Sequence, residues 1–251
     1  MKFRTFGKQD APVLMLIPGL GVSYEIFNPL IGLLDQEFLI VAVEVDGFTL
    51  GTHTAFTSID DQAGQIIGHI KGQFGGKIAC AYGLSLGGKI LSRVLERGEV
   101  AIGHTILDAA PLLPLPRWMV KPLSYTQAAN VWSCYHWTRF WRWVFHSHYF
   151  DVLLDECRKV YPYGGVQAVL AGYESVYTNR LESISNTDIQ YLYGTKEAFV
   201  AKYQADHLRS ICSTAKVEIF DKMNHGQLLV DSPEEVARRI KGCVFRFHSK
   251  T

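Results

Sequence analysis

The sequence of 251 residues lacks several features that would indicate particular classes of protein. It has no excess of either charge, because 25 lysines and arginines are balanced by 24 acidic residues. It also has no basic tract, which argues against nucleic acid as a partner, since phosphate backbones are bound through clustered Lys and Arg. Its five cysteines are widely spaced and contain no Cys-x-x-Cys pair. This argues against a disulfide framework or a zinc site and predicts a reducing, cytoplasmic location.

A long hydrophobic run is also missing. The apolar run that begins at Ala11 breaks at Pro18-Gly19. It is too short for a transmembrane helix and lacks the form of a cleaved signal peptide. We therefore expect no membrane span.

Short buried runs alternate with longer amphipathic ones along most of the chain. The pattern predicts a capped helix at residues 58–74, a second helix at 85–97, and a last helix that begins at Ser232-Pro233. Alternation of this kind is typical of an α/β fold, in which a mostly parallel sheet is covered by helices on both faces. The predicted strands are 12–17, 38–45, 77–82, 101–107, 188–193 and 216–220.

The alternation stops in residues 112–186. All five tryptophans lie there, between Trp118 and Trp143, and the patterns are helical. We interpret this stretch as an aromatic-rich helical insertion into a core made of residues 1–111 and 187–251.

One motif within the core carries chemistry. Gly83-Leu84-Ser85-Leu86-Gly87 follows a predicted buried strand and precedes a predicted helix. A serine held in a tight turn at this junction projects its hydroxyl above the sheet edge, and its neighbours must be small. The setting predicts that Ser85 is a nucleophile.

A serine hydroxyl needs a base, and the base needs a carboxylate to orient it. His225 follows the last predicted strand and is the base that we expect. Glu197 follows the strand that ends at Tyr193 and is the expected acid. Asp108 is a competing acid, and Asp221 is a third candidate that lies close to His225 in sequence.

Acyl chemistry also requires N–H donors for the oxyanion of the tetrahedral intermediate. One predicted donor is the amide of Leu86, directly after the serine. The other is the amide of Leu20, in the glycine-containing turn after the first predicted strand.

Together, the order Ser85, Glu197, His225 and the upstream turn at Pro18-Gly19 resemble the α/β-hydrolase fold family over nearly the whole chain. The resemblance implies a sheet of about eight strands, a helical cap inserted after the sixth, and acyl-transfer chemistry. Many capped members have His-Gly where this chain has Pro18-Gly19, which leaves the amide donor in place. A serine rather than an aspartate at position 85 disfavours epoxide hydrolases and dehalogenases.

We therefore expect a serine hydrolase, similar to carboxylesterases and thioesterases, that cleaves an ester or thioester of a small, largely apolar acyl compound without metal or cofactor. Three aromatic residues of the insertion are expected to line the acyl pocket, namely Trp137, Trp141 and Phe145. An acyltransferase, a C–C bond hydrolase and a receptor-like protein that only binds its ligand remain alternatives. Whether the protein forms a homodimer stays open.

Overall fold

The computed structural model describes residues 1–184 and 188–248. Within them, the strands are β1 (Lys2–Gly7), β2 (Val13–Ile17), β3 (Leu39–Glu44), β4 (Lys77–Leu84), β5 (Ala101–Asp108), β6 (Asp188–Gly194) and β7 (Lys216–Phe220). The helices are α1 (Asn28–Leu34), α2 (Ile59–Phe74), α3 (Leu86–Arg97), α4 (Arg117–His136), α5 (Thr138–Phe145), α6 (His148–Val176), α7 (Ala198–Ile211), α8 (Gln227–Asp231) and α9 (Pro233–His248).

The strands form one sheet in the order β1-β3-β2-β4-β5-β6-β7. Strand β1 runs antiparallel to β3, and the remaining neighbours are parallel. In the register of the sheet, Leu84 lies beside Asp108, which lies beside Leu192. The loops that follow β4, β5 and β6 therefore leave the same edge of the sheet, where ligands bind in open α/β folds.

Two hydrophobic cores lie on opposite faces of this sheet. Alternate strand residues point to opposite faces, so Met15 and Val41 join one core while Leu14 and Ile40 join the other. Helices α2 and α3 cover the first face, and α1 and α9 cover the second. Because both faces are buried, the central strands are almost continuously apolar.

The α/β class predicted from the sequence is confirmed. The six predicted strands are present, and the described residues contain seven strands where about eight were expected. The additional strand is β1, whose residues are exposed or partly buried and which lies at the edge of the sheet. An edge strand of this kind has little apolar alternation, so periodicity could not reveal it.

Helices α4, α5 and α6 lie between β5 and β6, in the segment predicted to be a helical insertion. The helical path of α6 is interrupted at Gly165, where φ is 57° and ψ is −158°. The expected domain boundary between residues 186 and 187 lies outside the described residues. In residues 1–184 and 188–248, no helix combines the length and the apolar character needed to cross a bilayer.

Candidate active site

Ser85 occupies the junction between β4 and α3, with φ 51° and ψ −109°. A positive φ at a residue other than glycine is uncommon, and it persists only where the surrounding structure imposes it. Here the Ser85 N–H donates a hydrogen bond of 2.8 Å to the carbonyl oxygen of Asp108. Leu86 begins α3 directly afterwards. The N-terminal end of that helix favours negative charge next to the serine.

Glycines allow the backbone to come very close to itself around Ser85. A Cβ atom on Gly83 would lie 2.7 Å from the carbonyl carbon of Gly87. A Cβ atom on Gly87 would lie 2.1 Å from the carbonyl oxygen of Ile17. No side chain fits at either distance, so the turn at Ser85 requires glycine at both positions.

His225 and Glu197 are joined by a hydrogen bond. The His225 Nδ1 atom lies 2.6 Å from Glu197 Oε2, and the other carboxylate oxygen accepts the Gly194 N–H at 3.2 Å. An ionised carboxylate can only accept, so Nδ1 carries the proton and Nε2 presents its lone pair. The Tyr149 hydroxyl also donates to the His225 carbonyl oxygen at 2.6 Å. The imidazole is thus held in the tautomer that a general base needs.

The electrostatic surroundings favour the charged imidazolium. The side chain is about half exposed, and the partial loss of hydration opposes protonation, but the hydrogen bond and charge of Glu197 outweigh it. The pKa of His225 therefore lies above its ordinary value, and the charge of Asp108 adds to this effect. The site stabilises the state that His225 would reach after accepting a proton.

The two competing carboxylates have different partners. Asp108 is buried, and its Oδ2 accepts a hydrogen bond from the Tyr82 hydroxyl. Burial raises the pKa of Asp108 to about 6; the Tyr82 hydrogen bond opposes this rise, the charge of Glu197 adds to it, and His225 opposes it. Asp221 is bonded to the Thr195 hydroxyl at 3.3 Å. Of the three candidate acids, the one that contacts the imidazole is Glu197.

The two residues expected to supply the oxyanion donors, Leu20 and Leu86, line the same cavity as Ser85. Leu86 is the first residue of α3, so its N–H has no carbonyl partner within the helix. Leu20 lies in the turn after β2 and lines the same cavity as Ser85. That these two amides bind an oxyanion stays a prediction.

The loop that carries Leu20 is anchored to the inserted helices. Glu156, on α6, accepts hydrogen bonds from the Ser23 N–H at 2.9 Å and the Ser23 hydroxyl at 2.5 Å. Its other oxygen is 2.6 Å from Lys159 Nζ. Both Ser23 and Glu156 are buried, so this contact fixes the loop after β2 against α6.

Two neighbouring cavities lie at this edge of the sheet. The first has a volume of about 430 Å³, and the five residues predicted for catalysis all line it, namely Leu20, Ser85, Leu86, Glu197 and His225. The second, of about 360 Å³, lies between the loop after β2 and helices α4, α5 and α6. Leu20, Val22, Gln127 and Leu153 contribute to both cavities. Volumes of this size suit small ligands.

The predicted aromatic pocket is only partly where it was expected. Trp141 and Phe145 line the second cavity, not the one that contains Ser85. Trp137 lines neither cavity. It lies at the junction of α4 and α5, where its exposed ring packs edge-on against Trp132 at 5.8 Å. The direction of its ring depends on the turn between the two helices, which the sequence pattern does not define.

Other residues of the first cavity were missed. Tyr173 and Val176 reach it from the end of α6, Tyr177 directly after that helix, and Phe199 from α7. Spacings of three and four residues put the first three side chains on one helix face. That spacing was a usable signal, whereas nothing in the sequence pointed to Phe199.

Metal ions can also bind at such an edge of a sheet. In the part of the chain that the structure describes, no group of three His, Cys, Asp or Glu side chains is arranged to hold a metal ion.

The sequence of this chain is similar to that of a known protein family. A sequence profile of the Alpha/beta hydrolase family matches residues 14–239. A comparison with curated proteins finds no match.

Solved structures with similar folds include a putative alpha/beta hydrolase family protein from Desulfitobacterium hafniense. It has a TM-score of 0.81 and 19% identity, with 96% of this chain and 99% of that chain covered. A thermophilic esterase from Thermogutta terrifontis has a TM-score of 0.76 and 17% identity, with 98% and 93% covered. An enol-lactonase from Burkholderia xenovorans has a TM-score of 0.76 and 14% identity, with 97% and 96% covered. At these identities the likeness concerns the fold alone.

Proposed function

The chain belongs to the alpha/beta hydrolase family, and on this premise we propose that it is a serine hydrolase that cleaves an ester or thioester through an acyl-enzyme on Ser85. The observation that carries the proposal is the combination of a strained Ser85 and a His225–Glu197 pair in one cavity. A positive φ at a serine is costly, and such strain is found chiefly at functional sites.

In the first half of the reaction, His225 Nε2 accepts the proton of the Ser85 hydroxyl while the oxygen attacks the substrate carbonyl carbon. Glu197 keeps the Nδ1 proton in place and stabilises the imidazolium that forms. The raised pKa of His225 matches this demand, because proton acceptance is then less unfavourable.

The negative charge that develops on the carbonyl oxygen is bound by the N–H groups of Leu20 and Leu86. Collapse of the tetrahedral intermediate breaks the ester bond, and His225 gives its proton to the departing alcohol or thiol. Water then repeats the sequence on the acyl-enzyme and releases the acid.

The cavity walls favour a largely apolar acyl group. Apart from the catalytic groups, the first cavity is lined mainly by apolar and tyrosine side chains, and the second by residues such as Val131, Phe150 and Leu154. Because Leu20 and Val22 border both cavities, an acyl chain whose carbonyl lies at Ser85 has an apolar space to extend into. Apolar burial supplies binding energy in proportion to the area removed from water.

Access of water favours hydrolysis over acyl transfer. The side chain of His225 is 49% exposed, so solvent reaches the base that would activate the second nucleophile. A transferase benefits from excluding water at this step.

Residues 112–186 are proposed to act as a cap over the site. Gln127 on α4, three residues of α6 (Tyr149, Leu153 and Tyr173) and Tyr177 directly after α6 supply one wall of the first cavity. The cap would then determine which acyl groups fit, while the core supplies the reaction.

Reaction with a fluorophosphonate probe tests the nucleophile. The wild-type protein is expected to gain the mass of one adduct, and Ser85→Ala is expected to gain none. Ser210→Ala, which removes an exposed serine on α7, is the matched control and should be labelled like the wild type. An unlabelled wild type, or a labelled Ser85→Ala, would contradict the proposal.

Turnover of p-nitrophenyl esters of increasing acyl length tests the reaction. Multiple turnovers are expected, with Ser85→Ala reduced by several orders of magnitude. Labelling of Ser85 without repeated turnover would instead favour a receptor that binds its ligand.

A further inference from the structure

Helix α4 carries an unusual stripe of exposed aromatic side chains. Trp118, Tyr125 and Trp132 are spaced seven residues apart and therefore share one face of the helix. Their exposed fractions are 77%, 56% and 40%. Large aromatic rings are normally covered in folded proteins, so three on one face indicate a surface that is made to contact something.

Helix α5 continues this surface. Trp137, Phe140 and Trp143 are 56%, 49% and 69% exposed. Trp137 contacts Trp132 with ring centroids 5.8 Å apart, and Phe140 lies 6.4 Å from Trp143. We call these six residues of α4 and α5 the aromatic face.

The segment that carries the aromatic face is basic. Residues 109–150 contain no Asp or Glu but include Arg117, Lys121, Arg139 and Arg142. Arg142 is paired with Asp151 and Asp155 on α6. The other three cations are exposed and have no ion-pair partner among the described residues.

We propose that the aromatic face docks the protein onto an anionic lipid surface, with α4 and α5 lying in the interfacial layer. Tryptophan rings favour the boundary between headgroups and acyl chains, and flanking Lys and Arg side chains can extend to lipid phosphates. Apolar rings flanked by Arg117, Lys121 and Arg139, three cations unpaired in the described part of the chain, fit a negatively charged, partly apolar partner. A second copy of this chain would bring like charges together.

The position of the aromatic face connects it with the cavities. Phe145, at the end of α5, is 41% exposed and also lines the second cavity, together with Trp141. Trp141 in turn packs against Phe140 of the aromatic face at 5.2 Å. Acyl chains held in a bilayer would thus meet the protein next to the second cavity.

Binding to vesicles tests the proposal without any need for catalysis, so it can also be measured on Ser85→Ala. All five tryptophans lie between residues 118 and 143, and their fluorescence therefore reports directly on this surface. Vesicles of phosphatidylcholine with phosphatidylglycerol are expected to bind the protein and to shift the emission to the blue. Vesicles of phosphatidylcholine alone should bind it more weakly, and added salt should weaken the anionic binding.

Two pairs of substitutions separate the apolar from the ionic contribution. Trp118→Ala with Trp143→Ala should weaken binding by at least about tenfold, from the loss of two buried rings. Lys121→Gln with Arg139→Gln should weaken it by about fivefold per charge. Ile219→Ala on β7 and Lys77→Gln on β4 change exposed residues outside the aromatic face and should leave binding unchanged.

Thermal unfolding of each variant establishes that it is folded before binding is measured. Three results would overturn the proposal: no binding of the wild type to anionic vesicles, equal binding to neutral ones, or binding that the four substitutions do not affect. A concentration-dependent dimer that is broken by Trp118→Ala with Trp143→Ala, without vesicle binding, would assign the aromatic face to a second copy of the chain.

Discussion

Replacement of Asp108 by Asn should stabilise the protein at neutral pH, although it removes a carboxylate next to the proposed catalytic groups. Asp108 is 2% exposed, and its pKa is raised from 3.8 to about 6, mainly by burial. A difference of about two pH units at about 1.4 kcal/mol each means that ionised Asp108 costs about 3 kcal/mol in the folded state. Asn can still accept the Tyr82 hydrogen bond but never carries the charge.

The sign of the effect follows from proton binding. Because its pKa is raised by folding, Asp108 binds more protons in the folded state than in the unfolded one. The stability of the wild type therefore falls as the pH rises from about 4 to about 6 and then levels off. Asp108→Asn lacks this loss, so its advantage in free energy of unfolding grows by about 3 kcal/mol over the same interval.

Urea unfolding at several values between about pH 4 and pH 8, at constant ionic strength, measures the difference directly. Each pH compares variant with wild type, so the titration of groups that do not interact with Asp108 cancels. Asp10→Asn changes an exposed carboxylate. The difference in free energy of unfolding between this variant and the wild type should be the same at every pH. The reasoning fails if the difference in free energy of unfolding between Asp108→Asn and the wild type also does not change with pH. It fails as well if the variant becomes less stable relative to the wild type as the pH rises.

Two further predictions concern the site itself. Gly87→Ala places a Cβ atom 2.1 Å from the Ile17 carbonyl oxygen, so it should destabilise the fold by about 2 kcal/mol or more and abolish labelling of Ser85; normal labelling in a fully stable variant would contradict the close approach. Glu197→Gln should lower kcat by about 10³- to 10⁴-fold and, because Glu197 raises the pKa of His225, should move the acidic limb of the pH–rate profile for ester hydrolysis to lower pH. An unchanged limb would mean that Glu197 does not interact with His225 in solution.

The sequence allowed the residues of the candidate site to be predicted because their signals are local. Glycines at 83 and 87 are required by a close backbone approach that involves only one strand, one helix and the neighbouring strand. Glu197 and His225 each follow a recognisable strand, and parallel strands bring such positions to one edge. The choice between Glu197 and Asp108 needed the structure, because both follow strands that end there.

The walls of the cavities could not be predicted in the same way. They depend on how α4, α5 and α6 pack against the core, which is a matter of long-range contacts. Trp137 shows the limit, since a change of backbone torsions at one residue turns its ring to solvent. The edge strand β1 was not predicted for a different reason, because a strand of exposed and partly buried residues has little hydrophobic alternation to detect.

The hydrogen bonds from Ser23 to Glu156 have a consequence for protein engineering. A segment such as 112–186 would ordinarily be regarded as an exchangeable part that alters substrate preference alone. In this protein, replacing the segment by that of another hydrolase would also remove Glu156, which accepts the hydrogen bonds that hold the loop containing Leu20. Such a chimera should lose rate on every substrate, even those that fit it, unless the incoming helix supplies a carboxylate where Glu156 stands.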